Sequence, residues 1–126
     1  MAQSDLKQGE KVIATVYAPR NRRKSPRFFV DKRLKIKVVP RSQESLLHGR
    51  IRDLSEGGLS AIVSGLLNAG EQTMLEFPDA DGNTLVLAAV VCHRKGFYYG
   101  LQFSNPTAEQ RQAIVKICTR EGKPGA

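Results

Sequence analysis

The chain of 126 residues is long enough for one domain and too short for two ordinary ones. A hydrophobic fraction of 40% and a charged fraction of 25% are globular values, which excludes disorder of the whole chain. The net charge of +8 suggests an anionic partner, and it is segregated: Arg20 to Arg41 holds ten Lys or Arg against one acid, Asp31, whereas Glu56 to Asp81 holds five acids and no base.

Residues 1–19 read as an N-terminal arm. The N-terminus has no apolar core of signal-peptide length. No apolar run anywhere approaches the ~20 residues of a membrane span. The expectation is a soluble, cytoplasmic protein without membrane insertion. Within the arm, Lys11 to Tyr17 has the composition of a short strand but no evident pairing partner. Residues 20–28 form a basic, flexible linker, and Pro26 disfavours helix at Ser25. From Phe28 the pattern has period two. Leu34, Ile36 and Val38 alternate with Arg33, Lys35 and Lys37, which predicts a strand with one wet face. Further strands are predicted over Leu46 to Asp53, Leu59 to Val63 and Gln72 to Phe77. The cluster Pro78 to Asn83, which contains Asp81-Gly82, is a turn. Thr84 to Cys92 is apolar throughout and predicts a strand covered on both faces. The last strand runs from Phe97 to Phe103, with Phe97, Tyr99, Leu101 and Phe103 on one face. The period then changes. Thr107 and Gln110 stand at capping-box spacing. Gln110, Ala113, Ile114, Ile117 and Cys118 form one apolar stripe of a helix that stops at Glu121-Gly122. The fold class is therefore mainly β: a small six-stranded antiparallel barrel with a C-terminal helix over residues 29–121, followed by a tail at 122–126.

Few residues suggest catalysis. Cys92 and Cys118 both lie in apolar surroundings and are expected to be buried structural thiols. His48 and His93 lack partners at metal-ligand spacing, and His93 and Cys92, as neighbours on a strand, should point to opposite faces. No phosphate loop or supported Ser/His/Asp arrangement occurs. The chain is expected to have no enzymatic activity, no catalytic residue, no metal and no cofactor.

Two stretches could carry binding. Asp53-Leu54-Ser55-Glu56-Gly57-Gly58 reads as a strand-ending turn, in which Asp and Ser cap and glycine supplies unusual backbone angles. It also reads as a ligand site. Asp53 can accept from ring N–H groups, Ser55 can bond an oxygen, and Gly58 lets a planar ligand approach the backbone. Arg23-Lys24-Ser25-Pro26-Arg27 reads either as a solvated linker or as an anion grip. A guanidinium can hold the O6/N7 edge of guanine, stack on a purine or pair with phosphate.

Arg-x-x-x-Arg before a small barrel, followed some 25 residues later by Asp-x-Ser-x-x-Gly, resembles the PilZ domain, a family of cyclic di-GMP receptors. The resemblance spans roughly residues 20–120 and implies a split-barrel fold. It implies that Arg23 and Arg27 of the linker, with Asp53, Ser55 and Gly58 of the barrel, bind cyclic di-GMP. An arginine at Arg22, just before the linker motif, goes in the family with an intercalated dimer of the ligand. The implied role is a receptor that orders its linker on binding and signals by contact with a downstream protein, in motility, polysaccharide or biofilm control. The alternative is a basic barrel that binds nucleic acid, with Arg33, Lys35 and Lys37 tracking phosphates and Tyr98 stacking a base. Against it, the basic residues precede the barrel more than they line it.

Overall fold

One long strand organises the molecule. In the computed structural model, which describes residues 26–39 and 46–124, β1 (Phe28–Val39) pairs with strands on both sides. It is followed by β2 (Leu46–Leu54), β3 (Gly58–Val63), β4 (Gln72–Pro78), β5 (Thr84–Lys95), β6 (Tyr98–Phe103), α1 (Ala108–Glu121) and the short β7 (Lys123–Pro124). The hydrogen-bonded order is β2-β3-β6-β5-β4-β1-β7, and β1 also pairs with β2. That last pairing closes a six-stranded antiparallel barrel and removes its open edges. The expected arm at 1–19, and Arg22 and Arg23 of the linker, lie outside the described residues.

The period-two pattern fills the barrel as predicted. Leu34, Ile36 and Val38 of β1 are buried with Ile51, Leu75, Leu87, Val91 and Leu101. Tyr99 is also fully buried, and its hydroxyl is satisfied twice: it accepts from the Leu67 N–H at 3.0 Å and donates to the Gly65 carbonyl at 3.1 Å. This pair pins the β3–β4 connection over the barrel. α1 packs at one end through Ile114, Ile117 and Cys118. Its start has the predicted capping box: Thr107 Oγ1 accepts from the Gln110 N–H at 3.0 Å, and Gln110 Oε1 accepts from the Thr107 N–H at 2.8 Å. Gln110 Nε2 also donates to the Val86 carbonyl, which ties the helix start to β5.

Four expectations need correction. Cys118 is buried, but Cys92 is exposed, because it alternates outward from the buried Val91, at the point where a bulge between Val91 and His93 interrupts the ladder. The same bulge leaves Cys92 and His93 both exposed rather than on opposite faces. β5 is covered on one face only: Leu87, Ala89 and Val91 are buried, whereas Val86 is 40% exposed. Phe97 belongs to the β5–β6 turn and is 61% exposed, so only Tyr99, Leu101 and Phe103 of its expected face reach the core. The tail also does more than end the chain, since β7 pairs with Phe28 and Phe29.

Candidate functional site

Three bulges fall in one band across the barrel, in β1 between Phe29 and Lys32, in β2 between Ile51 and Asp53, and in β5 between Val91 and His93. Their effect is clearest on β2. Simple alternation from the buried Ile51 would send Asp53 into the core. The extra residue, Arg52, re-aims the chain so that Asp53 pairs with Ser60 while Leu54 pairs with the buried Leu59. Registered residues share a face of the sheet. Phe29, Asp53, Ser60, Gly100 and His93 thus form one row across the outside of the barrel.

Asp53 is the centre of this row. It is 5% exposed, and its Oδ1 is buried without a hydrogen-bond partner. Arg27 Nε lies 3.5 Å from that oxygen, an ion pair outside hydrogen-bond geometry. The other oxygen, Oδ2, accepts a long bond of 3.4 Å from the Tyr98 hydroxyl. A carboxylate in this setting keeps unused acceptor capacity next to a guanidinium, which suits a planar ligand edge with paired N–H donors.

Ser55 and Gly58 are placed differently from the sequence argument. β2 ends at Leu54, so strand alternation does not relate Ser55 to Asp53. The Ser55 hydroxyl donates to the Gly58 carbonyl and accepts from the Gly57 N–H, both at 3.3 Å, while the Ser55 N–H donates to Gly58 at 2.9 Å. These bonds make the tight turn. At Gly58 a Cβ would lie 2.3 Å from the Leu101 carbonyl oxygen, so close β3–β6 pairing alone demands glycine. Of the six sequence-predicted ligand residues, the structure brings Arg27 and Asp53 together, with Ser55 and Gly58 in the adjoining turn. Arg22 and Arg23 lie outside the described residues.

Two neighbours were missed as site residues. Phe29 pairs with Asp53 and is 52% exposed, leaving an aromatic face beside the carboxylate. Alternation along β1 already points it outward, but its place beside Asp53 rests on the β1–β2 register across the bulge, which no local sequence signal marks. Tyr98 was considered only for stacking a base, whereas its hydroxyl reaches across β3 to Asp53. Among the described residues no three His, Cys, Asp or Glu side chains could hold a metal ion. Nor is any helix among them long and apolar enough to cross a membrane.

The solved structures similar in fold include three that show its range. The PilZ domain of CeSA from a cellulose-synthesizing bacterium is 16% identical with a TM-score of 0.59, over 72% of this chain and 92% of that one. The PilZ domain of YcgR from Escherichia coli, solved with c-di-GMP, is 18% identical with a TM-score of 0.63, over 77% and 88% of the two chains. The inhibitor of motility MotI/DgrA of Bacillus subtilis is 23% identical with a TM-score of 0.63, over 79% of this chain and 50% of that one. No curated protein sequence matches the chain. The family model described as the PilZ domain matches residues 21–120. With the closed barrel and its C-terminal helix, that match over most of the sequence establishes that the chain belongs to the PilZ domain family.

Proposed function

We propose that this chain is a cyclic di-GMP receptor that acts by binding rather than by catalysis. The observation that carries the reading is the Asp53 carboxylate, buried, short of one hydrogen-bond donor and set against Arg27. Guanine offers donors of the kind the free oxygen lacks, and its O6/N7 edge and the ligand phosphates suit Arg27. Support also comes from family membership and from the likeness in fold to the YcgR domain solved with c-di-GMP. In this reading Arg23 adds a second guanidinium, and Arg22 stacks on a purine of an intercalated ligand dimer. Ser55 and Gly58 shape the turn against which the ligand lies, and Phe29 offers a face to a base. Binding folds residues 20–27 over the barrel and changes the surface shown to a downstream protein, as in control of motility, polysaccharide or biofilm formation.

Calorimetry tests this reading. Wild type is expected to bind cyclic di-GMP with micromolar or tighter affinity, two ligands per chain if Arg22 supports a dimer. Arg27→Ala and Asp53→Asn each remove a charge-assisted contact and should weaken binding by about tenfold or more. Tyr98→Phe, which only loosens the carboxylate, should cost roughly two- to tenfold. A folded wild type that gives neither heat nor NMR shifts with the ligand refutes the proposal.

A further inference from the structure

A second surface of the barrel has a composition that its fold does not explain. β1 turns Arg33, Lys35 and Lys37 outward at alternate positions, roughly 7 Å apart along the strand. The register sets Arg33 opposite Arg50 and Lys35 opposite His48 on β2. Like charges directly opposite one another on a sheet destabilise it, and a face with no other use would mix its signs. Arg50 is relieved by Asp31, 2.7 Å away. Among the described residues no carboxylate comes within ion-pair range of Arg33, Lys35 or Lys37, although Glu76 stands opposite Lys35 on β4. A recess of about 430 Å³ opens beside Arg33, Lys35 and His48, with Glu76 on its wall towards the β4–β5 end. Beside Lys37 the charged stripe meets aliphatic groups: Leu46 is 40% and Val39 41% exposed, and Met74 is half-buried.

We propose that this outer face of β1 and β2 docks an acidic segment of a partner protein, its carboxylates on Arg33, Lys35 and Lys37 and its apolar side chains on Leu46 and Val39. Charge complementarity selects the sign of the partner, and the adjoining aliphatic patch selects its class. Single-stranded nucleic acid would need stacking platforms between the cations, and among the described residues neither the outward positions from Arg33 to Val39 nor their partners on β2 and β4 are Phe, Tyr or Trp; Phe29 lies at the far end in the Asp53 row, and Phe77, which lines the recess, is buried. The face is also separate from the Asp53 row. β1 and β2 carry that row at one end and the cation stripe along the rest of their length, so both surfaces are available at once.

The test uses the full chain without nucleotide, so that its outcome does not depend on cyclic di-GMP binding. A labelled acidic peptide, with leucines set among glutamates, is titrated by fluorescence anisotropy and by NMR. Saturable binding is expected, with amide shifts concentrated at Arg33, Lys35, Lys37, Leu46 and His48. Lys35→Glu/Lys37→Glu should weaken it by about tenfold, and Lys35→Gln/Lys37→Gln by less. Lys95→Glu/Lys116→Glu makes the same change in net charge on other faces and should change affinity by no more than roughly twofold. Equal losses in the two double charge reversals, or shifts spread over the whole surface, would reduce the effect to net charge and overturn the proposal. Tighter binding of a single-stranded oligonucleotide with the same shift pattern would assign the face to nucleic acid instead.

Discussion

A carboxylate with one oxygen unbonded and buried costs a fold about 1–3 kcal/mol, which the nearby Arg27 offsets in part. The candidate site therefore contains stored instability that a ligand donor relieves. The two cysteines show the same dependence of chemistry on place. Cys92 is exposed, whereas burial, aided by the Glu56 carboxylate, pushes the Cys118 thiol up to about 11. At mildly alkaline pH a thiol reagent should label Cys92 quickly and Cys118 only on unfolding. The sign of the pH effect follows from linkage. Between 9.0 and about 11 the unfolded thiol ionises while the folded one stays protonated. The unfolded state then binds fewer protons, so stability falls as pH rises through that window and is unaffected below it. Denaturant melts of wild type and Cys118→Ala across this range check the point: the stability difference should shift with pH in favour of the variant. A difference that stays constant would mean that the thiol ionises alike in both states.

At the scale of elements, β1 and α1 show how far a pattern can be read. The alternation of Leu34, Ile36 and Val38 located β1, because period two is a local property of a pleated strand. The same alternation also gives Lys32 an inward position, and Lys32 is 9% exposed. It is tolerated because Glu121 of the last helical turn lies 2.7 Å from its ammonium, a pairing across 89 residues that no local signal reveals. Bulges were unreadable for the same reason. Arg52 and Cys92 look like ordinary strand residues, and only the register of their partners makes them extra. Hence the alternation argument that pairs Asp53 with Ser55 does not describe the chain: a bulge at Arg52, not simple alternation, sets where Asp53 points. The Lys32–Glu121 pair gives a prediction of unequal effects. Glu121→Ala leaves an ammonium buried without its partner and should destabilise by about 1.5–3 kcal/mol. Lys32→Met replaces the pair's buried member with an apolar side chain of similar length, and should be neutral or stabilising. Urea denaturation of both variants decides it, and equal losses would show that the pair itself stabilises the fold.

At the scale of the whole molecule, the C-terminal end of the fold returns to the start of the barrel. Gly122 ends α1, and β7 then pairs Lys123 with Phe29 and Pro124 with Phe28, directly after Arg27. The helix end is thus seated against the strand that presents the candidate ligand arginine. Gly122 permits this contact through its size, not through its backbone angle, since its φ of -79° is open to any residue. A Cβ there would lie 2.6 Å from the Cys118 carbonyl oxygen and 2.7 Å from Phe28 Cβ, and both contacts must open. Gly122→Ala should therefore cost about 1–3 kcal/mol, the usual penalty of overpacking. Because the displaced atoms adjoin Arg27, the substitution should also weaken cyclic di-GMP binding, even though residue 122 touches none of the proposed ligand contacts. Gly57→Ala is the control: nothing lies within 4 Å of its added Cβ, so stability should be unchanged despite its place in the Asp53–Gly58 turn. Thermal melts and calorimetry on the two variants separate the cases. Loss of stability with unchanged affinity in Gly122→Ala would mean that the seat of the helix and the setting of Arg27 are independent, and that the return of the chain serves the barrel alone.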